Sequence, residues 1–129
     1  MRASSLLRFA AVLGLAMAAM PGRTDAFTAA FSWAGIAACE KISPGFTLTG
    51  VPAGTQRLRF EMHDLDVPGF HHGGSIIAYR GDTVAQGAIR YIGPCPPRGV
   101  HHRYRWVIEA LDAAGKVLAT ATATATFPP

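Results

Sequence analysis

The feature that most restricts what this chain can become is a strict alternation of apolar and polar side chains, cut into short runs by glycine and proline. From His102 to Leu111, the residues His102, Tyr104, Trp106, Ile108 and Ala110 share one parity, and Arg103, Arg105 and Glu109 share the other. Successive side chains of a strand point to opposite faces, so the run predicts a strand with one buried face. Beyond the turn Asp112-Ala113-Ala114-Gly115, residues 117–127 set Val117, Ala119, Ala121, Ala123, Ala125 and Phe127 on one face and threonines opposite. Alanine alone favours helix, but the interleaved threonines are poor helix formers and good strand formers. The period of two therefore decides for strand, against a helix or a low-complexity tail.

Earlier segments repeat the pattern. Phe46-Thr47-Leu48-Thr49 alternates and is closed by Gly50 and the turn Val51-Pro52-Ala53-Gly54. In Arg57 to His63 the even positions Leu58, Phe60 and Met62 are apolar and the odd ones polar. Ser75 to Tyr79 reads as a short buried strand ended by Arg80-Gly81-Asp82, and Gly87 to Ile92 reads as another that runs into Gly93-Pro94-Cys95-Pro96-Pro97-Arg98-Gly99. With 129 residues and no internal repeat, charged block or linker, one domain is expected. The expected class is all-β and mostly antiparallel, a single small β-sandwich-like domain spanning residues 27–129.

The first 26 residues differ in kind. Arg2 and Arg8 precede an apolar run from Phe9 to Met20, which Pro21 and Gly22 break ahead of Thr24-Asp25-Ala26. This is the pattern of a secretory signal peptide, with cleavage expected after Ala26 and a periplasmic or secreted product. The run is shorter than the ~20 apolar residues a membrane helix needs, so no transmembrane span is expected in the mature form; an uncleaved amphipathic anchor is the alternative. Cleavage would carry off Arg2, Arg8, Arg23 and Asp25, so part of the excess positive charge belongs to the leader. The remaining arginines are scattered through the alternation, which argues against nucleic acid as a partner. In an oxidising compartment, Cys39 and Cys95 form one disulfide as the economical reading, with two separate buried thiols as the alternative.

Parity also places the ionisable residues. Asp64 and Asp66 continue the inward parity of Leu58, Phe60 and Met62, while His102 and Tyr104 share that of Trp106, and His101 points away. Pro94, Pro96 and Pro97 stiffen the preceding loop and leave it few amide donors. A rigid loop beside an imidazole and a phenol suits a small oxyanion, with a carboxylate orienting the histidine from behind; the bland alternative is a satisfied polar network beneath a loop.

The stretch Gly93-Pro94-Cys95-Pro96-Pro97-Arg98-Gly99-Val100-His101-His102-Arg103-Tyr104 resembles the signature of the phosphatidylethanolamine-binding, or Raf kinase inhibitor-like, family. Ser43-Pro44-Gly45-Phe46 through Thr55 is similar to that family's opening strand and turn, and Asp64-Leu65-Asp66-Val67-Pro68 to its Asp-Pro-Asp-Ala-Pro motif. The resemblance spans Ser43 to Asp112 and implies an antiparallel β-domain with a surface pocket for phosphate-like and carboxylate groups. Carried across, it makes Asp64 and His102 pocket walls, gives Tyr104 and the Cys95 backbone a part in holding the anion, and has Asp66 brace the motif. It also brings in His72, although His71-His72-Gly73-Gly74 departs from the family pattern and leaves either histidine, or a shifted register, open. The segments 68–71 and 75–93 are short by that comparison. The chain ends in an alternating strand where many relatives carry a helix at the pocket edge, so a shallower, more open pocket is implied.

A small anionic ligand (phosphate, carboxylate or a phospholipid headgroup) is therefore the expected partner, with a protein-interaction or inhibitor module as the alternative. No cofactor is expected. Enzymatic activity is not expected, since no Gly-x-Ser-x-Gly elbow is present and the loop cysteine is taken as oxidised. Metal binding is a further alternative, weakened because adjacent histidines of a strand face opposite sides and no His-x-His occurs.

Overall fold

In the computed structural model the described residues are 25–129 together with Gly14 and Ala16. Most of the expected leader, residues 1–13, 15 and 17–24, therefore lies outside the described residues. Seven strands form: β1 (Thr28–Phe31), β2 (Phe46–Thr49), β3 (Arg57–Asp64), β4 (His71–Ala78), β5 (Thr83–Val84), β6 (His102–Leu111) and β7 (Val117–Phe127). All pair antiparallel, in a three-stranded sheet ordered β1-β2-β5 and a four-stranded sheet ordered β4-β3-β6-β7. There is no helix among the described residues. The all-β expectation holds.

The alternation does the work that the sequence suggested. Leu58, Phe60 and Met62 of β3 and Tyr104, Trp106, Ile108 and Ala110 of β6 are all buried. They face Phe46 and Leu48 of β2 across the gap between the sheets, with Trp33 and Phe127 closing one side. Phe46 meets the Trp106 ring edge-on at 5.2 Å, and Trp33 meets Tyr104 edge-on at 5.9 Å, geometries that aromatic quadrupoles favour. On the opposite face of the large sheet, polar side chains are paired across strands, as in the Arg59–Glu109 contact of 3.0 Å.

Two local expectations are corrected. The segment read as a short buried strand from Ser75 to Tyr79 is the second half of β4, which begins at His71 and runs along a sheet edge with its side chains only partly covered. Gly87 to Ile92 is not a strand. Ile89 and Tyr91 are buried as alternation implies, but their segment finds no ladder: Gly87 N–H donates to the Ser43 carbonyl, Ile89 N–H to Ser43 Oγ, and Arg90 N–H to Ser75 Oγ. Periodicity reports burial, and here buried amides are satisfied by side chains and turns instead of a neighbouring strand. The short strands β1 and β5, which the sequence reading did not mark, form by pairing with β2.

One irregularity positions the site. Glu61 pairs with Gly74 and His63 with His71, so His72 and Gly73 together face Met62. This is a β-bulge, and Gly73 takes its extra residue at φ 71°, in the left-handed region open to glycine. The bulge leaves His72 on the inner face and His71 on the outer one, both at the end of the sheet where β3 stops and β6 begins.

Candidate functional site

Asp64 is the last residue of β3, and its register partner is Tyr104 of β6, two residues after His102. The central ladder thus delivers carboxylate, phenol and imidazole to one end of the sandwich. Asp64 is buried, and each of its oxygens is occupied. Oδ1 accepts from the amides of Asp66 (2.9 Å) and Val67 (3.0 Å), and Oδ2 accepts from His102 Nδ1 at 2.8 Å. Burial alone would raise its pKa. The His102 hydrogen bond, the two amides and the His102 charge outweigh that effect and hold the carboxyl below the usual range, so it is ionised at neutral pH. An ionised carboxylate can only accept, which fixes the proton on His102 Nδ1 and turns Nε2 away from Asp64.

His72 is oriented by a different device. Its Nδ1 lies 2.7 Å from the Ile92 carbonyl oxygen, which must accept, and the Ile92 amide donates back to the His72 carbonyl at 2.8 Å. Nδ1–H is again committed. The His72 ring stands edge-on to Tyr104 at 5.5 Å. Tyr104 is the floor. Its burial raises the phenol's pKa, as do the charge of Asp64 and the hydrogen bond with it, while the Cys95 amide acts in the opposite sense; the phenol stays neutral and able to donate.

These groups surround a cavity of about 420 Å³, lined by Asp64, His72, Cys95, His102 and Tyr104 and, toward its mouth, by Val67, Phe70, Ile92 and Pro97. None of the lysines or arginines among the described residues lines it. The stiff loop forms one wall, and Cys95 of that loop is joined to Cys39 by a disulfide. Pro94 is fully buried, and a Cβ on Gly93 would collide with the Glu40 carbonyl, so the first half of the loop lies flat against the segment before β2.

Five of the six residues proposed from sequence meet at this cavity; Asp66 does not. The strand ends at Asp64, so parity lapses two residues later. Asp66 sits in a turn outside the cavity, where Oδ2 accepts from the Arg103 amide (2.6 Å) and Oδ1 from the Arg103 guanidinium (3.0 Å). The guanidinium hydrogen bond, first, and the amide hold its pKa low. It braces the motif and does not touch the pocket. His101 is exposed, as parity requires, with Nδ1 3.0 Å from the Pro128 carbonyl. The apolar rim of Val67, Phe70 and Ile92 was not foreseen. The three lie in or beside turns, where no period exists, yet each remains 44–52% exposed in spite of being apolar. Among the described residues, no group of three His, Cys, Asp or Glu side chains is placed to hold a metal ion, and no helix is long and apolar enough to cross a membrane.

By sequence, no family model and no curated protein matches the chain. By structure it is similar to a phosphatidylethanolamine-binding protein homolog, CT736, from Chlamydia trachomatis, with a TM-score of 0.53 and 25% identity over 68% of this chain and 82% of that one. It is also similar to YbcL from E. coli, a member of the mammalian PEBP family, with a TM-score of 0.58 and 20% identity over 80% of this chain and 98% of the other. A sandwich with one walled cavity at the end of its central ladder defines a ligand-binding or interaction module. Its fold is that of phosphatidylethanolamine-binding protein family members, to which both solved structures are assigned.

Proposed function

We propose that this chain is an exported binding protein for a small anion, such as a phosphate or the phosphate-like head of a larger molecule. The observation that carries the reading is the cavity itself, where two imidazoles with committed Nδ1 atoms, a neutral phenol and the Cys95 wall converge. With Nδ1–H engaged, a neutral imidazole offers only a bare acceptor at Nε2; as imidazolium it offers a donor. The pocket lacks lysine and arginine, so recognition of an anion draws on the Tyr104 hydroxyl and on the Nε2 edges of His72 and His102.

The disulfide suits an oxidising compartment and supports the export reading. A second reading, a protein-interaction or inhibitor module, is favoured by one observation, the exposed apolar rim of Val67, Phe70 and Ile92. The test is a titration with inorganic phosphate followed by NMR. Saturable shifts at His72, His102 and Tyr104 support the proposal. Unperturbed resonances at millimolar phosphate reject it.

A further inference from the structure

The pocket wall is fastened in an uneven way. Upstream, Ile92 is bonded both ways to His72, the Cys39 amide donates to the Pro94 carbonyl at 2.8 Å, and Pro94 is buried. Downstream, β6 begins at His102. Between them, among the described residues, the only backbone–backbone hydrogen bond of residues 95–100 is the internal turn from Val100 N–H to the Pro97 carbonyl. The tip is therefore tied to the body of the protein through Cys95, by its Sγ and by its amide's hydrogen bond with Tyr104. Both half-cystines are exposed, and Cys95 also lines the cavity. Disulfide exchange is governed by access to sulfur, so this is a bridge that a thiolate can reach without unfolding the domain.

We propose that the Cys39–Cys95 bridge is a redox-modification site through which a dithiol reductant lowers the affinity of the pocket. The proposal rests on the anion-binding reading above. A thiolate of the reductant attacks Cys39 Sγ, the S–S bond breaks, and Cys95 leaves as a thiolate that takes up a proton. The second thiol of the reductant then attacks the mixed disulfide and releases Cys39. The reductant ends as a disulfide, and two electrons and two protons have passed to the protein. The freed tip carries the Pro97 wall and the Cys95 amide away from Tyr104. The new thiol, whenever ionised, sets a negative charge against the guest.

The experiment treats the folded full-length chain with dithiothreitol and follows thiol release, circular dichroism and inorganic phosphate affinity together. Thiols are expected to appear at a rate proportional to dithiothreitol and independent of mild urea, with the β-sheet spectrum retained. Phosphate binding should weaken about tenfold and recover on reoxidation. Reduction that proceeds only through global unfolding, loss of the β-sheet spectrum on reduction, or an unchanged phosphate affinity in the reduced folded protein would each overturn the proposal. A Cys39→Ser variant that folds and binds phosphate as tightly as the oxidised protein would do the same. If the oxidised protein binds no phosphate, the anion-binding reading fails on its own. The redox site is then judged on the ligand-free protein, where Cys95 amide and Tyr104 ring resonances that ignore reduction refute it.

Discussion

Asp64 joins stability to the site, because one carboxylate satisfies two turn amides and orients an imidazole. Its folded-state pKa lies below the ordinary value. The stability it contributes is therefore fully present above the unfolded-chain range near pH ~4 and is lost as the pH falls through the lower folded-state value. Urea denaturation of the wild type and of Asp64→Asn should give a stability gap that is widest at neutral pH and closes on acidification; a gap independent of pH would contradict the assignment. His102→Ala removes a partly covered ring at the cavity and should abolish phosphate binding in a calorimetric titration while the circular dichroism spectrum is unchanged. All three tyrosines carry raised pKa values. Burial pushes Tyr91 up to about 12, burial first and then Asp64 raise Tyr104, and the Asp82 hydrogen bond raises Tyr79. An alkaline titration by near-ultraviolet absorbance should accordingly show no tyrosine ionising at the ordinary value near ~10.

At the scale of elements, what was legible in the sequence depended on how long a period could run. The alternation of His102 to Leu111 and of residues 117–127 located β6 and β7 to the residue, and Arg57 to His63 located β3 to within one. The same alternation in Gly87 to Ile92 marked burial correctly and pairing wrongly, because a side-chain pattern says nothing of where the amides go. The choice between His71 and His72 was hidden in one residue's backbone angle, since the bulge at Gly73 sets the inward parity of β4. Asp66 was misplaced for the complementary reason that β3 had already ended. The loop resemblance pointed to Cys95 and Tyr104, and nothing in it pointed to the rim. Gly93→Ala tests how tightly the loop is seated. Its methyl meets the Glu40 backbone, so a loss of about 1–3 kcal/mol in urea denaturation is expected, along with weaker phosphate binding as the loop lifts.

Over the whole molecule, a domain of barely a hundred residues has little core to spare, and the bridge across 56 positions supplies part of what is missing. In the chain-entropy account a closed loop of this length is worth about 4 kcal/mol. A Cys39→Ala/Cys95→Ala double variant should lose stability on that order in urea denaturation, and a loss near zero would show that the unfolded chain is not the state the bridge restrains.

The pairing of Asp64 with Tyr104 carries a last implication. Because the guest's chamber is the final rung of the central ladder, its chemistry is hostage to counting. One residue slipped into β6 beside Tyr104 and not absorbed by a bulge turns the phenol outward and sets an arginine at the floor. Drift in such a lineage is therefore free to lengthen or shorten the connecting turns, but along these two segments it can only exchange letters.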